Sequence, residues 1–262
     1  MSAKAPTRAP LEARPAPPLG GFNLTFLAIE IRRLLRNRRT VVLQLVVPVM
    51  LFLLFRRRAA ALEATGLTTA GTMIGIAVYG AMFAATSGGA MVSVERGLGW
   101  SRQLRLTPLR PAAYVSVKIA TAMLLGAVSV AVVYAAGAMD GVAMSLPTWA
   151  ATGILAWAAS AVFAAFGLFM GYLLPAENVM QVIGLVLGVL GVLGGLFLPV
   201  DSLPPAMQAI ARYMPTYGVA EVARFPLVGG AFDPTWLVSM VGWTAAFVGG
   251  AMLLFRRDTR RV

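Results

Sequence analysis

The chain contains no cysteine and no histidine. The first absence removes disulfides, a thiolate nucleophile and zinc–thiolate sites. The second removes the commonest general base and the commonest metal ligand. Lysine occurs only at Lys4 and Lys118, and neither follows a glycine. A phosphate-binding P-loop needs Gly-Lys-Ser/Thr, because its lysine neutralises the terminal phosphates, so this chain does not hydrolyse ATP by that route. There is no G-x-S-x-G elbow, and no acids are paired at metal-binding spacing. Charge of either sign is scarce. Asp, Glu, Lys and Arg make up 12% of 262 residues, against about 25% in soluble proteins. With 59% hydrophobic residues, the composition points to lipid as the solvent.

What is present is a series of runs without a charged residue: 40–55, 64–94, 119–139, 141–176, 178–200 and 234–255. A helix needs ~20 mostly apolar residues to cross the ~30 Å hydrocarbon layer. Within it the backbone must satisfy its own hydrogen bonds, which predicts helices. No alternating strand pattern supports a barrel. The first run, Thr40–Phe55, is short and is followed by Arg56, Arg57 and Arg58. It reads as a span with snorkelling arginines rather than a signal-peptide core. The expected fold is therefore an all-α integral membrane protein with six transmembrane helices.

Basic residues set the orientation. Eight lie before Thr40, five in 95–118 and four after Phe255, whereas the alternate connections hold three, none and two. The positive-inside rule then puts both termini in the cytoplasm. The Arg56–Arg58 cluster falls on the outer side and violates that rule locally. The basic excess, +12 overall, is spread over these segments rather than gathered on one polar domain, so nucleic acid is not expected as a partner.

Residues 1–21 are rich in Pro and Ala and read as a disordered tail. Over 22–39 the pattern is an amphipathic helix lying in the membrane interface. Leu24, Leu27, Ala28, Ile31, Leu34 and Leu35 form its apolar stripe. Glu30, Arg32, Arg33, Arg36 and Asn37 fall opposite. This helix suits an anchor on anionic lipid, a lever touching a cytoplasmic partner, or both. Residues 199–233 form a short extracellular helical hairpin, Pro204–Tyr213 and Thr216–Phe225 with Pro215 between, as a cap on the bundle. The tail 256–262 is cytoplasmic. Gly184, Gly188, Gly191 and Gly195 recur along the fifth run. They suit helix packing or one wall of a substrate path. The spans hold no ionisable residue, which moves the energy source for any transport off this chain.

Three stretches resemble the ABC-2 family of ATP-binding-cassette exporter permeases, in particular the daunorubicin-resistance type. They are IRRLLRNRRTVVLQLVVPVMLFLLF (31–55), VERGLGWSRQLRLTPLRPAAYVSVK (94–118) and GGLFLPVDSLPPAMQAIARYMPTYGVAEVAR (194–224). The resemblance implies a permease dimer with two cytoplasmic ABC ATPase subunits. ATP and Mg would then bind the ATPase, and this chain would hold no cofactor. It also implies that the cytoplasmic loop 95–118 holds the ATPase-coupling helix, at Glu95, Arg96, Gly97 and Leu104 with Arg102 and Arg105 beside them. Arg32, Arg33 and Arg36 of the interfacial helix would rest near the ATPase and membrane lipids. The implied activity is export of a hydrophobic drug or lipid-like substrate, or a glycan, across the cell membrane, by a chain that is not itself an enzyme. From other classes, the alternatives are a membrane-embedded enzyme acting on lipids and a non-transporting assembly protein.

Overall fold

A computed structural model describes residues 23–61, 68–99 and 111–260. The expected tail 1–21 and the centre of the charged loop, 100–110, lie outside them. Among the described residues the chain is helical, with no strand. The elements are α1 (Leu24–Arg36), α2 (Arg38–Ala61), α3 (Thr69–Gly97), α4 (Pro111–Met139), α5 (Leu146–Ala159) and α6 (Ala161–Leu173). They continue with α7 (Val179–Leu193), a 3-10 turn (Val200–Ser202), α8 (Pro205–Ala211), α9 (Pro215–Val228) and α10 (Pro234–Arg260).

Local chemistry explains most boundaries. Asn23, Thr68, Ser145 and Asp233 each accept a hydrogen bond from a backbone N–H two or three residues on, opening α1, α3, α5 and α10. These are N-caps, which satisfy amides that a helix leaves unpaired. The bonds from Thr235 also hold the exposed Asp233 carboxyl below its ordinary range. Prolines occupy the first turn of α5, α8 and α9, where the missing N–H costs nothing. α7 stops because Gly195 takes a φ of 75°, which only glycine adopts freely. Leu196 N then turns back to Gly191 O.

Four segments are long and apolar enough to cross a bilayer: Thr69–Gly97, Ala113–Met139, Leu146–Leu173 and Pro234–Arg257. The third joins α5 and α6, with Ser160 at the junction donating to Trp157 O. The remaining two of the six expected runs differ. The first lies within α2, between its arginines. The fifth forms α7, which at 15 residues spans only about 22 Å of rise.

α3 is the central element. Most of its residues are buried, and it packs most extensively against α6 and α4. Glycine makes the α3–α6 approach backbone to backbone. A Cβ at Gly167 would stand 2.1 Å from Thr86 O, and one at Gly89 would stand 2.5 Å from Leu168 N. Gly171 lies one turn beyond Gly167 and faces Gly89 O. This small-residue seam is how helices associate where lipid offers no hydrophobic gain. Pro48 of α2 fills the space over Gly80.

The hairpin over 199–233 has the expected two helices. α9 buries Val219, Val222 and Ala223 against α5, α10 and α3. Arg224 also turns inward, donating to Gly71 O and Leu196 O at 3.2 Å each. Gly75 is what admits Arg224 and Leu196, since its Cβ would meet both within 2.4 Å. Burial raises the Glu221 carboxyl above its ordinary range, and Arg224 partly opposes this. At the same end of the bundle, Arg56 of α2 forms an ion pair with Asp140, just past α4. Of the Arg56–Arg58 cluster, Arg56 therefore has an acid for a partner.

Gly167→Ala is expected to destabilise the bundle, because overpacking a tight contact costs about 1–3 kcal/mol. Gly188→Ala is the control, since its Cβ meets nothing within 4 Å. Thermal unfolding in detergent should show a lowered midpoint for the first variant only. Equal midpoints would mean that the α3–α6 seam is not tight.

Candidate functional site

The end of the bundle opposite α9 gathers the most buried charges. Glu95 lies two residues before the end of α3 and is 2% exposed; Lys118, on the second turn of α4, is 6% exposed. Lys118 Nζ donates to Glu95 Oε1 at 2.6 Å and to Glu30 Oε2 of α1 at 2.7 Å. Arg33 of α1 donates to Glu95 Oε1 at 3.0 Å and lies 3.7 Å from Glu30. Tyr114 donates its hydroxyl to Glu95 Oε2. Two carboxylates and two cations thus balance within one cluster. That balance matters, because taking a single charge out of water costs several kcal/mol unless a partner answers it.

One residue on, Arg96 reaches across to α6. It donates to Gly171 O and Tyr172 O at 3.1 Å each, and it sits over the Tyr172 ring at 5.3 Å. Ser93 donates to Leu174 O at 2.7 Å. These carbonyls are the unpaired acceptors of a helix C-terminus, where the macrodipole favours a cation. Tyr172 in turn packs edge-on against Phe255 of α10. Glu95 and Arg96 are adjacent in sequence, yet one ties α3 to α1 and α4 while the other ties it to α6. The arrangement holds rather than reacts, since each charge of the cluster is committed to another.

The predicted residues separate in space. Glu95, which is buried, and Arg96, which is half-buried, together form the site described. Gly97 ends α3 and is exposed. Arg102, Leu104 and Arg105 lie outside the described residues. Of the three arginines of α1, Arg33 joins the cluster, while Arg32 and Arg36 face away and are exposed. Glu30, assigned by periodicity to the polar outer face, is 8% exposed and belongs to the cluster. Among the four glycines, a Cβ at Gly184 or Gly188 meets open space, whereas at Gly191 it would press on Phe197 and Tyr79. Gly195 lies past the end of the helix. Sequence reasoning missed Tyr114 and Glu30 as partners of Glu95 and Lys118. The available signals were the isolation of Lys118 in an apolar run and an acid at the centre of a basic helix.

A helical bundle with four membrane-length apolar segments and its buried charges clasped at one end is a multi-pass membrane protein of the permease type. The chain belongs to the ABC-2 type transporter family, whose model matches residues 23–227. Among curated proteins it is similar to "Putative transport permease YvfS" of Bacillus subtilis (strain 168). The two are 26% identical over 211 residues, covering 79% of this chain and 85% of the relative. The chain is thus the membrane component of a transporter.

Glu95→Gln should cost about 3–5 kcal/mol, because it leaves Lys118 and Arg33 facing a neutral amide. The double variant Glu95→Gln/Lys118→Met should lose less than the two single losses added together, with a coupling of roughly 0.5–3 kcal/mol. Unfolding in detergent measures this, and strict additivity would show that the two charges act independently.

Proposed function

We propose that this chain is the membrane permease subunit of an ABC exporter, driven by two separate cytoplasmic ATPase subunits and working as a dimer with a second permease copy. It crosses the cell membrane six times, through α2, α3, α4, the joined α5–α6, α7 with the turn after it, and α10. Both termini are cytoplasmic. The direction of each helix supports this reading, because α1, the ends of α3 and α6 and the end of α10 meet at one side of the bundle through Glu30, Glu95, Arg96, Tyr172 and Phe255. Among the described residues, the same side carries most of the basic ones, as the positive-inside rule requires. Its substrate is a hydrophobic drug or lipid-like molecule, or a glycan.

The observation that carries the proposal is the closed cluster at the base of the charged loop. Glu95 and Lys118 pin its two ends to each other and to α1. A push on the residues between them, from an ATPase docked below, therefore reaches α1, α3 and α4 together. Through Arg96 it also reaches α6. A flexible loop would absorb such a push; a clasped one transmits it, because packed elements shift between discrete arrangements rather than deform smoothly.

Reconstitution with the cognate ATPase tests the coupling. Arg96→Gln keeps the chain inserted but removes the bonds from the base of the loop to the end of α6. Substrate-stimulated export should fall roughly tenfold, within the range of site-to-site couplings, while co-purification of the ATPase is unchanged. Normal export by this variant would sink the coupling role. Orientation has its own check, since the chain has no native cysteine. An impermeant thiol reagent added outside cells should label Ala231→Cys and spare Leu98→Cys, both of which are exposed positions.

A further inference from the structure

We propose that the groove where α1 meets α2 binds the headgroup phosphate of an anionic phospholipid, with the acyl chains lying along α2. The groove encloses about 460 Å³ and is lined by Ala28, Ile31, Arg32, Arg36 and Arg38. Three guanidinium groups thus converge with no acid in the lining. Glu30 and Arg33 of the same helix are turned the other way, into the cluster with Glu95 and Lys118. No ion pair engages Arg32, Arg36 or Arg38 among the described residues. Arginine presents a planar fork of N–H donors that matches phosphate oxygens two at a time.

What lies beyond the arginines identifies the anion. Arg38, Val42, Val46 and Met50 follow one another at four-residue spacing on α2, which makes them one ridge inclined to the helix axis. Val42 is 54% exposed, Val46 49% and Met50 59%. From Arg38 to Met50 the helix rises about 18 Å, slightly more than half of the ~30 Å hydrocarbon layer. The surface therefore has a cationic head site and an apolar track of one leaflet's depth leading away from it along α2. An acidic segment of a soluble protein would match the first part and leave the second uncovered. A second copy of this chain would cover the track, but with 22 basic residues against 10 acidic ones it is a poor match for three arginines. A phospholipid with a net negative headgroup supplies both. α1 already lies in position for it, since its exposed Leu24 and Ile29 suit the headgroup–acyl boundary.

Native mass spectrometry of the full chain in detergent, titrated with phosphatidylglycerol or phosphatidylcholine, tests the site. The wild type should retain phosphatidylglycerol at least about tenfold more strongly, in keeping with three basic groups near an anionic surface. Arg32→Gln/Arg36→Gln/Arg38→Gln should lose the preference, and the corresponding triple lysine variant should keep part of it. Arg212→Gln, at the other end of the bundle, should change nothing. Val46→Trp should add fluorescence that bromine-labelled phosphatidylglycerol quenches more than bromine-labelled phosphatidylcholine does. Equal retention of the two lipids, or a preference that survives in the glutamine variant, overturns the proposal. So does loss of the preference in millimolar inorganic phosphate, which would mark a site for a free anion. An unquenched Val46→Trp would mean that protein covers the track, and the lipid assignment would fail.

Discussion

The buried contact between Glu95 and Lys118 is the constraint around which one end of the molecule is organised. Neither charge can be withdrawn from water alone, and the two together still leave Glu95 with unused acceptor capacity and Lys118 with protons to place. Tyr114 and Arg33 fill the first need, and Glu30 fills the second. Those partners sit on α1 and α4, so α1 must lie across the junction of α3 and α4 for the charges to balance. The position of α1 on the bundle is thereby fixed by electrostatics. The solution is compact: four charges, one hydroxyl and three helices.

Next to it, packing of a different kind governs α3 and α6. Here the contact is backbone on backbone, permitted by Gly89, Gly167 and Gly171. It is closed at its end by Arg96 and Ser93 on the carbonyls of α6. A close glycine seam resists shear because any sideways shift brings carbonyl oxygens against Cα atoms. The central pair is thus rigid along its length and clamped at its end. α10 and α7 are less embedded: Val238 and Val241 of α10 and Leu185 of α7 are each about 70% exposed.

The opposite end uses single contacts in place of a cluster. Arg56 meets Asp140, and Arg224 bridges two carbonyls from different elements. Both arginines are answered within the fold. Arg224 on carbonyl oxygens also closes α9 over the ends of α3 and α7, so that the hairpin is a packed cap and not a loose excursion.

Much of the architecture was legible in the sequence because the physics behind it is one-dimensional. Runs without charge mark helices in a medium that cannot solvate backbone, and α3, α4, the joined α5–α6 and α10 follow from that alone. The two helices of the 199–233 hairpin, the second opening at Pro215 itself, and the amphipathic pattern of α1 were equally visible. Periodicity put Glu30 among outward-facing residues, however, because a helical wheel distinguishes polar from apolar faces and not water from a buried partner. The glycines of α7 drew attention by their number, while the close seam lies at Gly89, Gly167 and Gly171, where a second backbone happens to pass. Composition and the spacing of charges determined that this is a helical membrane chain with a basic end. Which charge answers which, and which glycine admits a neighbour, was decided only when α1, α3, α4 and α6 came together, because those energies depend on distances between residues far apart in the chain.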